Sequence, residues 1–183
     1  MPPVLSDERL TLRELRVDDA AAITRACQDP ESQLWTTVPV PYTTADALDW
    51  IERQGAEAAA GRWHWAITTG DDLWRGTISL RLLDAANALH DVGFLTAPTA
   101  RGQGLTTGAL RLVCRHAFAD RGSQRVEWRA HVGNDASRRV ALKAGFVEEG
   151  IQRSRVVAHG VRHDCWTAAL LPSDLPERAG EYV

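Results

Sequence analysis

The sequence predicts a single α/β domain with the element order βααβββαβαββ, and three observations lead there. Apolar residues alternate at a period of two in several short stretches and recur at three- and four-residue spacing in others, so strands and helices interleave along the chain. A Gly-x-Gly turn, Arg101-Gly102-Gln103-Gly104, joins a strand-like run to an amphipathic helical one. Finally, 183 residues at 44% hydrophobic and 25% charged content bury one good core and leave little for a second. Residues 1–171 are assigned to this domain, and the stretch 172–183, PSDLPERAGEYV, is expected to be a loose tail.

Leu10, Leu12 and Leu15 mark the first strand. Asp18 and Asp19 then precede AAAITRAC, placing acids where the amides of a helix start are free. Thr43-Thr44 caps the next helix, whose Ala47, Leu48, Ile51 and Ala58 fall on one side with Arg53 and Glu57 on the exposed side, and Gly61 ends it. Trp63, Trp65 and Ile67 alternate with His64, Ala66 and Thr68 in a strand, and Gly70-Asp71-Asp72 turns the chain into LWRGTISLRLL. After the turn DAANA, the segment Leu89 to Thr96 reads as a central strand leading into the glycine turn.

Leu105, Ala109, Leu112, Val113 and Ala117 line one face of the following helix, which Gly122 stops. Val126, Trp128 and Ala130 alternate with Glu127, Arg129 and His131 in the next strand. Asn134-Asp135-Ala136-Ser137 opens another helix that ends at Gly145-Phe146, and two final strands surround His159-Gly160. Most of the seven tryptophans lie on these alternating patterns and are expected in the core.

Composition excludes several classes of function. A net charge of −3, a pI near 6.1 and interspersed charges give no basic footprint for nucleic acid. No apolar run approaches the roughly 20 residues of a membrane span, and MPPVLSDER has no apolar core for export, so a cytoplasmic protein is expected. Cys27, Cys114 and Cys165 are widely spaced, without a Cys-x-x-Cys pair, and are expected as buried thiols rather than a disulfide framework or zinc cage. His159-x-x-x-His163 with Cys165 is half a metal site at most, so no metal is expected. No Gly-x-Ser-x-Gly elbow and no Gly-Lys-Ser/Thr ending are present, which removes the serine-hydrolase and nucleotide-triphosphatase readings.

The glycine turn is built for phosphate: two glycines let a ligand approach the backbone, and the free amides of the helix's first turn face an anion. A tight turn with a solvated arginine is the plainer alternative. The run RGQGLT followed by NDASRRVALKAGF resembles the GCN5-related N-acetyltransferases, the GNAT family, and within it the RimJ/RimL-like branch. The resemblance extends over most of the chain, through LTLREL, VPVPYTTADALDWI and HGVRHDCWTAALL. It implies a mixed, mostly antiparallel sheet of about seven strands with flanking helices. The central strands would splay apart to admit the pantetheine arm of acetyl-CoA, the expected cosubstrate.

The same resemblance assigns roles. Phe94, Leu95 and Thr96 would hydrogen-bond the arm through their backbone, with a bulge expected at Gly93. The pyrophosphate would sit on the amides of Arg101, Gly102, Gln103, Gly104, Leu105 and Thr106, with the Arg101 guanidinium available for a charge-assisted contact. The family has Gly or Ala at Thr106, so here the turn is wider or the hydroxyl bonds phosphate. Asn134 either caps its helix or orients the arm, and both roles are compatible. Ser137 is the expected acid for the leaving thiolate, since Ala141 stands where RimI-like relatives carry a tyrosine; ordinary capping is the alternative. Asp91 is the candidate base, with His90, Glu127 and His131 behind it. Trp35 and Tyr42 are expected to shape the acceptor pocket.

These assignments imply transfer of an acetyl group to a primary amine, a peptide N-terminus or a small molecule. A larger acyl donor such as succinyl-CoA, and a non-catalytic acyl-CoA-binding module, stay open, as does a homodimer.

Overall fold

Short turns pair the first strand with the second and join the third, fourth and fifth, while the second and third meet across a long helical excursion, so the first five strands of the computed structural model stand in the sheet in chain order. The structure describes residues 1–175. The strands are β1 (Leu5–Ser6), β2 (Thr11–Arg13), β3 (Arg62–Thr68), β4 (Gly76–Asp84), β5 (Leu89–Thr96), β6 (Arg125–His131), β7 (Val147–Ala158) and β8 (Val161–Leu170). They form one eight-stranded sheet in the order β1-β2-β3-β4-β5-β6-β8-β7, in which only the β5–β6 pair is parallel. That parallel step needs a crossover, which the helix α5 (Leu105–Ala119) supplies.

The predicted strands and the two helices of the second half are all present. The first half differs. A two-residue β1 precedes the expected first strand, too short to leave a period. The early region holds four short helices rather than two: α1 (Ala20–Gln28), α2 (Pro30–Trp35), α3 (Thr44–Glu52) and α4 (Gln54–Ala59). α2 starts because Asp29 accepts from the Ser32 amide and Pro30 fits the first turn, in a stretch that reads as loop. The chain bends at Arg53 between α3 and α4, so Leu48 is exposed while Glu57 turns inward. Asp19 does not serve as a simple helix-start acid: it is buried and paired through both oxygens with the Arg13 guanidinium at 2.8 and 2.9 Å.

Helices cover both faces, as alternate residues of β3 reveal. Trp65 meets His116 of α5 on one face, while its neighbour His64 meets Trp50 of α3 and Glu57 of α4 on the other. α5 and α6 (Asp135–Ala144) share the first face. The core between α5 and the sheet is closed by Trp65, Ile78, Leu80, Leu110, Val113, Val126 and Trp128, all almost fully buried. Burying large apolar side chains in this way gives each roughly 1.5–3 kcal/mol. Cys27, Cys114 and Cys165 are buried free thiols.

Pro172–Asp174 form a 3-10 turn, and residues 176–183, the rest of the expected loose tail, lie outside the described residues. Among the described residues no helix is long and apolar enough to cross a membrane.

Candidate active site

The ladder between β5 and β6 runs from Leu89↔Arg125 to Val92↔Trp128 and then stops. From Gly93 onward β5 pairs only with β4, and from Arg129 onward β6 pairs only with β8. The facing edges carry backbone N–H and C=O groups without a strand partner, which an inserted amide-bearing chain could satisfy. The gap opens into a cleft of about 1050 Å³, and Phe94, Leu95 and Thr96 all line it. Gly93 does not form the expected bulge. It lies in regular register with Ser79, and the register shift falls between Leu82 and Asp84.

The glycine turn forms one wall of this cleft. Gly102 and Gly104 have φ of +77° and +78°, and a Cβ on either would meet nothing within 4 Å. Glycine is therefore required by the left-handed backbone and not by crowding. Gly104 immediately precedes α5, so the free amides of the first turn, residues 105–107, open beside the cleft. Leu105 is buried beneath them.

Three side chains of the turn are engaged elsewhere. The Arg101 guanidinium reaches α2, donating to Asp29 (2.6 Å), Glu31 (2.7 Å) and Ser32 (3.0 Å) rather than standing free for an anion. This pairing holds the Asp29 carboxyl below its ordinary range. The Thr106 hydroxyl is bonded to that of Thr96 at 2.6 Å, tying the helix to the end of β5. The Gln103 side chain donates to the Thr99 carbonyl.

On the opposite wall, Asn134 Oδ1 accepts from the Ser137 amide at 3.1 Å and so caps α6. Trp128 Nε1 donates to Ser137 Oγ at 3.2 Å, which leaves the hydroxyl proton of Ser137 free to point elsewhere. Both Asn134 and Ser137 line the cleft.

The remaining sequence candidates divide. Asp91 lies on the other face of the sheet, where its carboxylate accepts from Arg81 through both oxygens and from Arg129 Nη2 at 3.0 Å, so its lone pairs are already engaged. Glu127 is paired with Arg125 at 3.1 Å. His90 is buried against Ser123, outside the cleft. His131 lines the cleft, stacked on His163 at 4.5 Å with Trp35 edge-on at 6.4 Å, and burial together with the neighbouring His163 and His159 pushes it below its ordinary value. Trp35 lines the cleft as well. Tyr42 does not: it is buried in the core beside Cys27, where desolvation raises the phenol, so it forms no part of this cleft. His159 bonds the carbonyls of Gln33 and Thr36, not a metal partner.

Two features escaped the sequence reading. Arg111 and Arg115 of α5 and Arg139 and Lys143 of α6 all line the cleft, a basic rim suited to phosphate groups. Their i,i+4 spacing, on the helix that follows the glycine turn and on α6, was the available signal. The second feature is a smaller cavity of about 200 Å³ on the far face of the sheet, lined by His64 and Asp91 among others. Alternation in β3 placed His64 opposite Trp65, but nothing in the sequence revealed what it would face.

Residues 9–147 match the protein family described as Acetyltransferase (GNAT) domain. The chain is 38% identical over 96 residues to the Bacillus subtilis protein named "Putative ribosomal N-acetyltransferase YdaF", 52% of each chain. It is 36% identical over 114 residues to the Bacillus subtilis "Probable N-acetyltransferase YjcK", 61% of this chain and 63% of the relative. These matches thus span half to just under two thirds of both relatives. In fold, the chain is similar to Mycobacterium smegmatis RimJ in complex with CoA-disulfide, with a TM-score of 0.85 at 22% identity, over 96% of this chain and 90% of that one.

Proposed function

The chain belongs to the GNAT acetyltransferase family, and we propose that it transfers the acetyl group of acetyl-CoA directly to a primary amine, either a polypeptide N-terminal α-amine or a small amine. The parting of β5 from β6 beside a left-handed glycine turn carries this reading. An amide-rich arm fits the unpaired edge at residues 94–96, and a pyrophosphate fits the amides of residues 101–106. Arg111, Arg115, Arg139 and Lys143 would hold the remaining phosphate of the nucleotide end.

Acetyl-CoA supplies an activated acyl group as a thioester. Ser137, with its oxygen held by Trp128, gives its proton to the departing sulfur, and Asn134 keeps that helix turn in place. Trp35 shapes the space for the acceptor beside His131. The peptide α-amine is the favoured acceptor because the relative YdaF is named a putative ribosomal N-acetyltransferase. The cytoplasm is the proposed compartment.

The test offers purified protein and acetyl-CoA to a mixed library of N-terminal peptides and small amines, with products read by mass spectrometry for the gain of one acetyl group. A peptide product supports the reading in full, and a small-amine product moves the acceptor to metabolites. Silence despite acetyl-CoA binding overturns acetyl transfer and leaves another acyl donor or a non-catalytic module.

A further inference from the structure

His64, Ser79 and Gly93 stand side by side across three strands: His64 pairs in register with Ser79, and Ser79 with Gly93. Residues so paired share a face, here the face opposite the glycine turn. Gly93 is the first residue of β5 beyond the ladder to β6. The small cavity over these residues and the large cleft share Val92 and Gly93 in their walls, so the two spaces approach each other at the point where the sheet parts.

The His64 ring is held from two sides. Its Nε2 is 2.7 Å from Glu57 Oε2, and Trp50 packs edge-on at 5.4 Å. Donation from Nε2 to the carboxylate leaves the Nδ1 lone pair, which has no hydrogen-bond partner among the described residues. A carboxylate behind an imidazole also stabilises the imidazolium that forms when the ring takes a proton. Asp91 in the same cavity lacks this freedom, being engaged by Arg81 and Arg129.

We propose that the small cavity receives the acceptor's amine and that His64, oriented by Glu57, is the base that deprotonates it, a role that rests on the acetyl-transfer reading above. The amine enters as an ammonium and gives one proton to His64 Nδ1, directly or through one water. Two strand spacings, roughly 10 Å, separate the Cα atoms of His64 and Gly93, which an imidazole, a water and an amine together span. The neutral nitrogen then bonds to the acyl carbon as the carbon–sulfur bond breaks. Its second proton balances the thiolate by way of Ser137, and the imidazolium returns its proton to solvent.

The charged groups facing His64 are Glu57 from α4, Arg62 on its own strand, and Arg81 and Asp91 across the cavity. Burial lowers the affinity of His64 for protons, Glu57 opposes that, and Arg62 adds to the lowering, so the ring holds its proton less tightly than an ordinary histidine.

The experiment follows acetylation of the peptide or amine that the wild type modifies best, with acetyl-CoA as donor, across pH. His64→Gln is expected to lower kcat about a hundredfold, to leave acetyl-CoA affinity unchanged and to abolish the acid limb of kcat/KM. Glu57→Gln is expected to move that limb to lower pH, and free imidazole to restore turnover to His64→Ala. Retention of kcat within about threefold, an unchanged acid limb, or a folded His64→Ala that imidazole does not revive overturns the assignment. If neither variant folds, the titration of His64 followed by NMR in the wild type must coincide with the acid limb, and a mismatch overturns it. A wild type that acetylates nothing overturns the transfer reading and this proposal together, whereas an active wild type indifferent to His64 overturns this proposal alone.

Discussion

Trp128 Nε1 donates a hydrogen bond to Ser137 Oγ at 3.2 Å, linking the last β6 residue that pairs with β5 to the first turn of α6. The contact fixes the serine oxygen at the vertex of the gap and leaves its proton as the one that can be given away. Ser137→Ala is therefore expected to lower kcat about a hundredfold while acetyl-CoA affinity, measured by calorimetry, stays the same. Unchanged turnover would remove the acid role and leave Ser137 as part of the cap.

Arg101 spans from the glycine turn to Asp29 and Glu31. These pairs are partly exposed, so each contributes at most about 1 kcal/mol. Arg101→Ala is expected to lower the melting temperature by a few degrees, with less than about a threefold change in acetyl-CoA affinity. A loss of affinity above about tenfold would instead mean that the guanidinium leaves α2 to reach the pyrophosphate.

Gly104 has φ of +78° with open space where a Cβ would go. Gly104→Ala is expected to cost about 1–2 kcal/mol through the backbone alone. It is also expected to weaken acetyl-CoA, since relaxation of the dihedral re-aims the first amides of α5. Melting and calorimetry on the same sample separate the two effects, and native values for both would show that the turn tolerates a side chain.

His90 and His131 are 3% and 6% exposed, and burial lowers both from the ordinary histidine value of 6.5. The unfolded chain therefore binds protons at these positions before the folded one does. Stability is complete above about pH 6.5 and falls as the pH drops below it toward the folded values. Melting temperature is expected to decline between pH 7 and 5, less steeply in His131→Gln, whose wild-type Nδ1 is buried without a partner among the described residues. A flat profile, or an unchanged slope in the variant, would contradict this.

Much of the fold was legible because its elements carry strong local signals. Leu89–Thr96 and the buried stripe of Leu105, Ala109, Leu112, Val113 and Ala117 follow from period alone. Asp29-Pro30 was legible only in retrospect, since a six-residue helix in a proline-bounded stretch has too few turns to build a period. Tyr42, expected from the sequence to shape the acceptor pocket with Trp35, is instead buried in the core because α1 brings Cys27 over it.

The sequence by itself determined the order of the strands and helices from β3 onward, the glycine turn and the serine at the start of α6, because each depends on neighbours within a few residues. Only the tertiary structure decided which charges are free. Arg101 finds its carboxylates about 70 residues away, Asp91 is held by arginines from two other strands, and His64 meets Glu57 only because α4 folds back onto β3. A charged side chain's availability depends on which opposite charge the fold carries to it, and that pairing leaves no periodic trace in the chain.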